Sequence, residues 1–410
     1  MRPILITTVT PLLTRFSLAF AVSRSNKSAP LSPLSSSLLF VPPILSTASH
    51  TRTMSTQPYK RSKPNSSLSS SKTIGTHSGT FQADEALGVW LLRQTPAYRS
   101  SPVVRSRDPA TLEKCHIVID VGGVYDHATL RYDHHQRGYD ERFDPKVGKD
   151  GTSVERCTKL SASGLVYRHY GREVIREYYP GLSQDLVELA YTKMYDSFME
   201  AIDAIDTGVE LLPPGSEAIQ LQYSDRTGLS SRVSRINPRW NEVDESTGQS
   251  PDPDARFEIA SNMCGEDFLS VLTHIVESDL PARSFVEEAV KKRHECDSSG
   301  EIIALHSGGL PWKNHLYELE HQYNIDPCIK FVIYTDQAGM WRVQAVPVEG
   351  KAFENRLGLP KEWRGVRDQD LEKIAGIEGC TFCHAAGFIG GNKSYDGVLE
   401  MARVALRDGS

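Results

Sequence analysis

The first 83 residues of this 410-residue chain contain no Asp or Glu, yet they hold Arg2, Arg15, Arg24, Lys27 and Arg52 among long Ser, Pro and Leu runs. An acid-free, Arg- and Ser-rich start suits a mitochondrial transit peptide. A secretory signal would use the apolar stretch from Pro3 to Ala21, which Arg15 interrupts. Residues 1–71 are therefore expected to be a disordered targeting region directing the protein to the mitochondrial matrix. Met54 is a second candidate start, and initiation there leaves the basic run Tyr59 to Lys63 near the new terminus, a cluster suited to nuclear import. The chain also lacks eighteen uninterrupted apolar residues, so no membrane partner is expected. Its seven cysteines are odd in number and widely scattered, which excludes a dense disulfide framework and favours free thiols. An excess of positive charge is missing as well. The formal net charge is −6, and a chain starting at Met54 loses five basic groups and no acid, leaving 41 against 52, or −11. A polyanion must then be met locally, by metal ions or a basic groove.

The 410-residue chain as a whole is globular in composition, 39% hydrophobic and 24% charged, and long enough for two domains. Thr73 to His77 reads as a short strand. Asp84-Glu85 then opens an amphipathic helix carrying Ala86, Leu87, Val89, Trp90 and Leu91, with acids at its positive end. Cys115 to Val121 is a β-branched run suited to a buried parallel strand, ending in an Asp-Val-Gly-Gly loop at Asp120. Helices are expected over about 161–170 and 183–205. This alternation predicts an α/β, doubly wound parallel-sheet domain over 72–240. A Pro-, Asp-, Glu- and Ser-rich linker follows at 241–256, then a smaller mixed α/β domain over 257–410. The latter should hold helices near 266–278 and 282–296 and strands near 301–305, 329–335 and 340–346.

Four acidic or histidine clusters fall where such a sheet presents its ligand-binding loops: His77 with Asp84 and Glu85, Asp120 with Asp126, Asp133-His134-His135, and Asp203 with Asp206. Hard divalent cations take several carboxylate oxygens, and added imidazole shifts the preference towards manganese or iron over calcium. Two neighbouring cations need a shared carboxylate, and Asp120 at a strand end is the best placed. Asp203 and Asp206 stand three apart on one side of a helix, so one of them can face the site. Three adjacent hydrophilic groups such as Asp133-His134-His135 cannot all be buried without partners, which makes a packing role hard to sustain.

That motif order resembles the DHH phosphoesterase superfamily, which includes RecJ-like exonucleases, oligoribonucleases and family II pyrophosphatases. More closely, Thr76-His77-Ser78-Gly79-Thr80-Phe81, Asp133-His134-His135-Gln136-Arg137, the run Ala201 to Gly208, and Pro311-Trp312-Lys313 resemble the Myg family over about residues 72–406. The resemblance implies a two-domain, manganese-dependent 3′-to-5′ RNA exonuclease of mitochondria and nucleus, with two ions, magnesium being the alternative metal. Carried over by motif, His77 and Asp84 would hold the first ion, Asp120 would bridge, and His134 and Asp203 would hold the second. Asp133 and His135 would complete the catalytic tripeptide by orienting His134, with Glu85, Asp126 and Asp206 as supporting acids behind the ligands. Gln82 stands where the family often has His. The partners implied are RNA 3′ ends or short oligonucleotides.

In the second domain the glycine-rich segment from Cys380 to Lys393 could bring backbone amides to an anion, with His384, Gly390, Gly391 and Lys393 as substrate-binding residues. Trp312-Lys313, Trp341-Arg342 and Trp363-Arg364 pair a ring with a cation, the combination that holds single strands, and Lys313 and Arg342 are the expected contacts. The lone Cys380-x-x-Cys383 has no second pair, so zinc is not expected. Two other functions fit part of the pattern: hydrolysis of small phosphates or short oligonucleotides, favoured by the acidic net charge, and a non-catalytic metal-binding regulator, favoured by Gln82.

Overall fold

A computed structural model describes residues 72–408, apart from 149–151, 217, 220–222, 246, 306–307 and 352. The expected targeting region at 1–71 and the Met54 start lie outside the described residues. In the first sheet, β1 (Ile74–Thr76), β2 (Val103–Arg105), β3 (Ile117–Ile119), β4 (Tyr125–Asp126) and β5 (Arg131–Tyr132) lie in the order β2-β1-β3-β5-β4. The pairs of β1 with β2 and β3, and of β3 with β5, are parallel, and the edge pair β4–β5 is antiparallel. Successive side chains of a strand face opposite sides. Ile74, Ile117 and Ile119 accordingly enter a large core with α1 (Ala83–Gln94), α3 (Ala162–Tyr178) and α7 (Pro253–Thr273). Val118 points the other way, to Leu112 of α2 (Pro109–Leu112) and Cys115. The doubly wound expectation is thus met unevenly. One face lies under a full helical layer, while the other, among the described residues, carries a cluster centred on three buried side chains.

A small hairpin pairs β6 (Lys146–Val147) with β7 (Ser153–Val154). The helical run expected over 183–205 is present as α4 (Gln184–Met194), a π turn at Tyr195–Met199 and α5 (Glu200–Asp206). After α6 (Leu229–Ser234) the domain boundary departs from expectation. α7 begins at Pro253 rather than near 266, capped by Asp252 and opened by proline at its first turn. Its Phe257, Ala260, Cys264, Phe268 and Leu272 form a helical stripe buried in the first core, so residues expected to begin the second domain complete the first. The chain continues through a π turn at His274–Asp279 into α8 (Leu280–Lys291), whose Val286 and Val290 already belong to a different cluster.

The second sheet contains β8 (Ile302–Ala304), β9 (Phe331–Thr335), β10 (Trp341–Ala345), β11 (Cys380–Cys383) and β12 (Ile389–Asn392), ordered β11-β12-β10-β9-β8. Only β8–β9 is parallel. Past α9 (Arg293–Cys296), α10 (Lys313–Tyr323) packs with α8 on Ile303 and Val332. α11 (Asp368–Ala375) and α12 (Tyr395–Asp408) cover Ile302, Phe331, Ile333 and Val343 on the opposite face. This is the mixed α/β unit the sequence predicts. No described helix is long and apolar enough to cross a membrane.

Candidate metal centre

The carboxyl ends of β1, β3 and β5 deliver His77, Asp120 and Asp133-His134-His135 to one edge of the first sheet, the edge where parallel sheets place their ligands. Asp120 has φ +57 and precedes Gly122 and Gly123 at φ +106 and +67. A left-handed backbone costs of order 1 kcal/mol at a non-glycine residue, and here it turns the carboxylate back over the strand ends. His77 Nε2 lies 3.0 Å from Glu85 Oε1 and 3.3 Å from Asp120 Oδ2. Its Nδ1 faces the Ser78 carbonyl at 3.3 Å and Arg107 Nη2 at 3.3 Å, which fixes the ring. His134 Nε2 is 3.0 Å from Asp206 Oδ2, and its Nδ1 is 3.8 Å from Asp120 Oδ1.

Among the described residues, three groups of side chains could each hold a cation: His77, Glu85 and Asp120; Asp84, Asp120, His134 and Asp206; and Asp120, Asp133, His134 and His135. Asp120 is common to all three. Its Oδ1 and His134 Nδ1 are buried without a hydrogen-bond partner. Leaving such atoms unsatisfied costs about 1–3 kcal/mol each, whereas a cation about 2.0–2.2 Å from both would satisfy them across their 3.8 Å gap. The residues present therefore fit a divalent ion.

The electrostatics agree. Burial alone would lower the pKa of His77, but hydrogen bonds and charges from Asp120 and Glu85 raise it to about 10. For His134 burial is likewise overcome, by Asp206, Asp84 and Asp120, and the pKa rises to about 9. Asp84 is driven well above the ordinary carboxylate range by burial and by the charges of Asp206 and Asp120. Protons here occupy positions that a cation could take.

The supporting acids are arranged differently from the sequence expectation. Asp203 and Asp206 exchange places: Asp206 joins the group with Asp84, Asp120 and His134, while Asp203 belongs to none of the three. The Asp203 carboxylate accepts bonds from Ser161 N at 3.0 Å, Ser161 Oγ at 2.6 Å and Tyr195 OH at 2.8 Å. It rests against the first turn of α3, where any side chain at Gly164 would collide with it. Three residues along a helix is a rotation of about 60° and a rise of about 4.5 Å, enough to send one acid to α3 and the other to the cluster. Glu85 stands within the His77 group rather than behind it. Asp126 stands apart from every group and closes the β4–β5 turn, accepting from Ala128 N at 2.9 Å and Thr129 Oγ1 at 2.8 Å.

Asp84 serves two purposes. It is a cluster member, and it accepts from Ala162 N at 3.0 Å and Ser163 N at 2.6 Å at the positive end of α3. Asp133 orients its neighbours: it accepts from the Gly123, His134 and His135 amides and from His135 Nδ1 at 2.6 Å. Burial would raise its pKa, but these bonds hold it below the ordinary value. The His135 side chain is 61% exposed, and its ring stacks on His134 at 4.2 Å.

In the second sheet, β12 lies between β10 and β11, so the amides of Gly390 and Gly391 face ladder partners rather than an anion. Their glycine identity has another cause. A Cβ at Gly390 would press on Leu359 and Met401 in the core, and one at Gly391 would meet Thr381 Oγ1 at 2.6 Å and Arg342 Nη1 at 2.7 Å. Arg342 thus lies across Gly391, over the Phe382 ring at 5.2 Å and paired with Asp336. Lys393 and His384 are exposed just beyond β12 and β11, and Lys313 opens α10 with Nζ 5.9 Å from the Trp312 ring. Cys380 and Cys383 are buried, burial pushes the Cys383 thiol up to about 11, and no cysteine belongs to the three groups.

The MYG1 exonuclease family, described as an uncharacterised protein family (UPF0160), matches residues 73–406. The chain is 46% identical over 346 residues to the MYG1 exonuclease of Rattus norvegicus, covering 84% of this chain and 87% of that protein. It is 46% identical over 354 residues to the MYG1 exonuclease of Homo sapiens, covering 86% and 90%. With the MYG1 protein of Dictyostelium discoideum it shares 44% over 336 residues, covering 82% and 96%. No solved structure matches the chain. The chain belongs to the MYG1 exonuclease family.

Proposed function

We propose that this protein is a two-metal phosphodiesterase of the DHH phosphoesterase superfamily, acting as a manganese-dependent 3′-to-5′ RNA exonuclease in mitochondria and nucleus. The observation that carries this reading is the sharing of Asp120 by three acid and histidine groups, with its Oδ1 and the neighbouring His134 Nδ1 left without partners. His77, Glu85 and Asp120 would hold one ion, and Asp84, Asp120, His134 and Asp206 the other. Oxygen-rich ligands with two imidazoles suit manganese, with magnesium as the alternative. Divalent ions bound there would activate a water and neutralise charge in an in-line displacement at phosphorus. Asp133 holds the His134-His135 loop in place, and the exposed His135 ring, tethered through Nδ1, can hold a proton beside the phosphate. Asp203 acts indirectly by fixing α5 to α3. Lys313, Arg342, His384 and Lys393, on the second sheet's elements, would serve as phosphate or stacking contacts for RNA.

A second reading, hydrolysis of small phosphates or very short oligonucleotides, is favoured by the −11 of the chain from Met54 onward. Incubating the purified protein with manganese and a 5′-labelled RNA separates the two. A ladder of progressively shorter labelled products supports the exonuclease. Hydrolysis confined to small phosphates supports the second reading, and no hydrolysis of either removes both.

A further inference from the structure

A cavity of about 220 Å³ opens beside the acid group, with Asp84 and Asp206 in its lining. The rest of its wall is uncharged: Phe81, Ile202 and Ile205 supply apolar surface, and Ser230 and Ser234 supply hydroxyls. Among the described residues, no Lys, Arg or further acid lines it. The wall is built rather than incidental. The Asn237 side chain accepts from Phe81 N at 3.0 Å and donates to the Phe81 carbonyl at 2.9 Å, tying the loop between His77 and α1 to the segment after α6. Phe81 is itself held edge-on against Phe257 at 5.6 Å. Ser230 and Ser234 are four residues apart on α6 and so share one face. Ile205 is 60% exposed, an uncovered apolar side chain at the edge of a charged centre.

Resting on the phosphodiesterase reading above, we propose that this cavity receives the terminal nucleoside of the nucleic-acid substrate while its phosphate lies at the Asp84 and Asp206 end. The base takes the apolar wall of Phe81, Ile202 and Ile205, and the ribose or the polar edge of the base meets Ser230 and Ser234. A second phosphate is disfavoured, because the two carboxylates there are faced by no cation of the lining. The volume is below the roughly 300 Å³ at which pockets for drug-sized ligands begin, which admits one nucleoside and not two. The neighbouring sequence suits the strand that leads to it. Residues 223–240 carry Arg226, Arg232, Arg235 and Arg239 against the single acid Asp225, in a chain of net charge −6; Arg232 is paired with Asp267 and Arg239 with Glu242, which leaves Arg226 and Arg235 beside Trp240, 96% exposed. Cations interleaved with an open aromatic ring are the features that hold a single strand.

The test is calorimetric binding of adenosine 5′-monophosphate and of inorganic phosphate to the manganese-loaded protein, comparing wild type with Ser234→Phe, which fills the cavity, and Ile205→Ala, which strips its wall. The nucleotide should bind wild type about tenfold or more tightly than phosphate does. Ser234→Phe should raise the nucleotide Kd about tenfold, and Ile205→Ala about threefold, with the phosphate Kd within about twofold in both. Should Ser234→Phe fail to fold, Ile205→Ala at an exposed position decides alone. Equal binding of the two ligands by wild type, an unmoved nucleotide Kd in the variants, or parallel loss of both ligands would each overturn the proposal. Hydrolysis of bis(p-nitrophenyl) phosphate by wild type with manganese, a diester without a nucleoside, tests the phosphodiesterase reading separately.

Discussion

The acid edge of the first sheet and the glycine-rich strand of the second both attract notice in the sequence, yet they differ in how completely their polar groups are paired. At the first, carboxylates from a strand end and two helices crowd around two imidazoles, and buried atoms of Asp120 and His134 lack partners. At the second, β12 is flanked on both sides, and its glycines make room for Leu359, Met401, Thr381 and Arg342. Buried polar groups left unpaired are costly and therefore point to something that completes them. Glycines with satisfied backbones point to close packing. Motif density does not separate a site from a tight fold; what does is that the unpaired buried atoms of the first region belong to a carboxylate and an imidazole that face each other, whereas the second region's Thr381 Oγ1 is a single hydroxyl packed on Gly391.

The widest separation between the two regions should come from Asp120→Ala, which removes the carboxylate common to all three groups. Hydrolysis and manganese affinity should both fall more than about 100-fold, beyond the range typical of outer-shell changes, as measured by calorimetry and steady-state assay. A loss no greater than that of Asp84→Ala would remove the bridging role. Next, Asp203→Ala and Asp206→Ala should part company. The first strands the Ser161 amide and Tyr195 hydroxyl in the interior and should cost about 3 kcal/mol in urea unfolding, with manganese still bound. Asp206→Ala should weaken manganese binding with little change in the unfolding midpoint, and the reverse pattern would restore Asp203 as the ligand.

Titration of the metal-free protein sharpens the same contrast. The folded state binds protons on His77 and His134 more tightly than their ordinary pKa of 6.5, up to about 10 and about 9. Their contribution to stability is therefore fully present below pH 6.5 and lost as pH rises through about 9 and 10. Burial of Asp203, whose pKa rises from 3.8 to about 7, acts in the same direction at lower pH. Urea midpoints in chelator should fall from pH 6.5 to 10, and saturating manganese should flatten that fall, since the ions replace the protons. A chelator profile that rises with pH would contradict this arrangement.

Smaller effects belong to the second sheet. Lys393→Ala, at an exposed position, should raise KM a few-fold with a lesser change in kcat and unaltered manganese binding, since a phosphate contact acts on ground state and transition state alike. Gly391→Ala should do the same by displacing Arg342, and loss of manganese in either variant would join the two regions into one site. Asp126→Ala should leave the urea midpoint and turnover essentially unchanged, as expected of a solvent-facing turn residue.

Sequence by itself determined the strand ending at Asp120, the helix opened by Asp84-Glu85, the tripeptide Asp133-His134-His135 and strands β8, β9 and β10 of the second half. Each is written in local patterning: β-branched runs, acids at a helix start, adjacent hydrophilic groups that cannot all be buried alone. Tertiary structure decided the rest, for reasons that act at long range. Pro253 and the apolar stripe after it look like the start of a new domain until α7 is seen packed against α1. Asp203 and Asp206 are equivalent by spacing, and only the packing of α5 against α3 decides which one meets His134. Gly390 and Gly391 read as an anion loop, but neighbouring strands and side chains 7 to 49 residues away in the chain occupy both their amides and their faces. Spacing specifies which residues can share an element, and only packing specifies which of them is left without a partner.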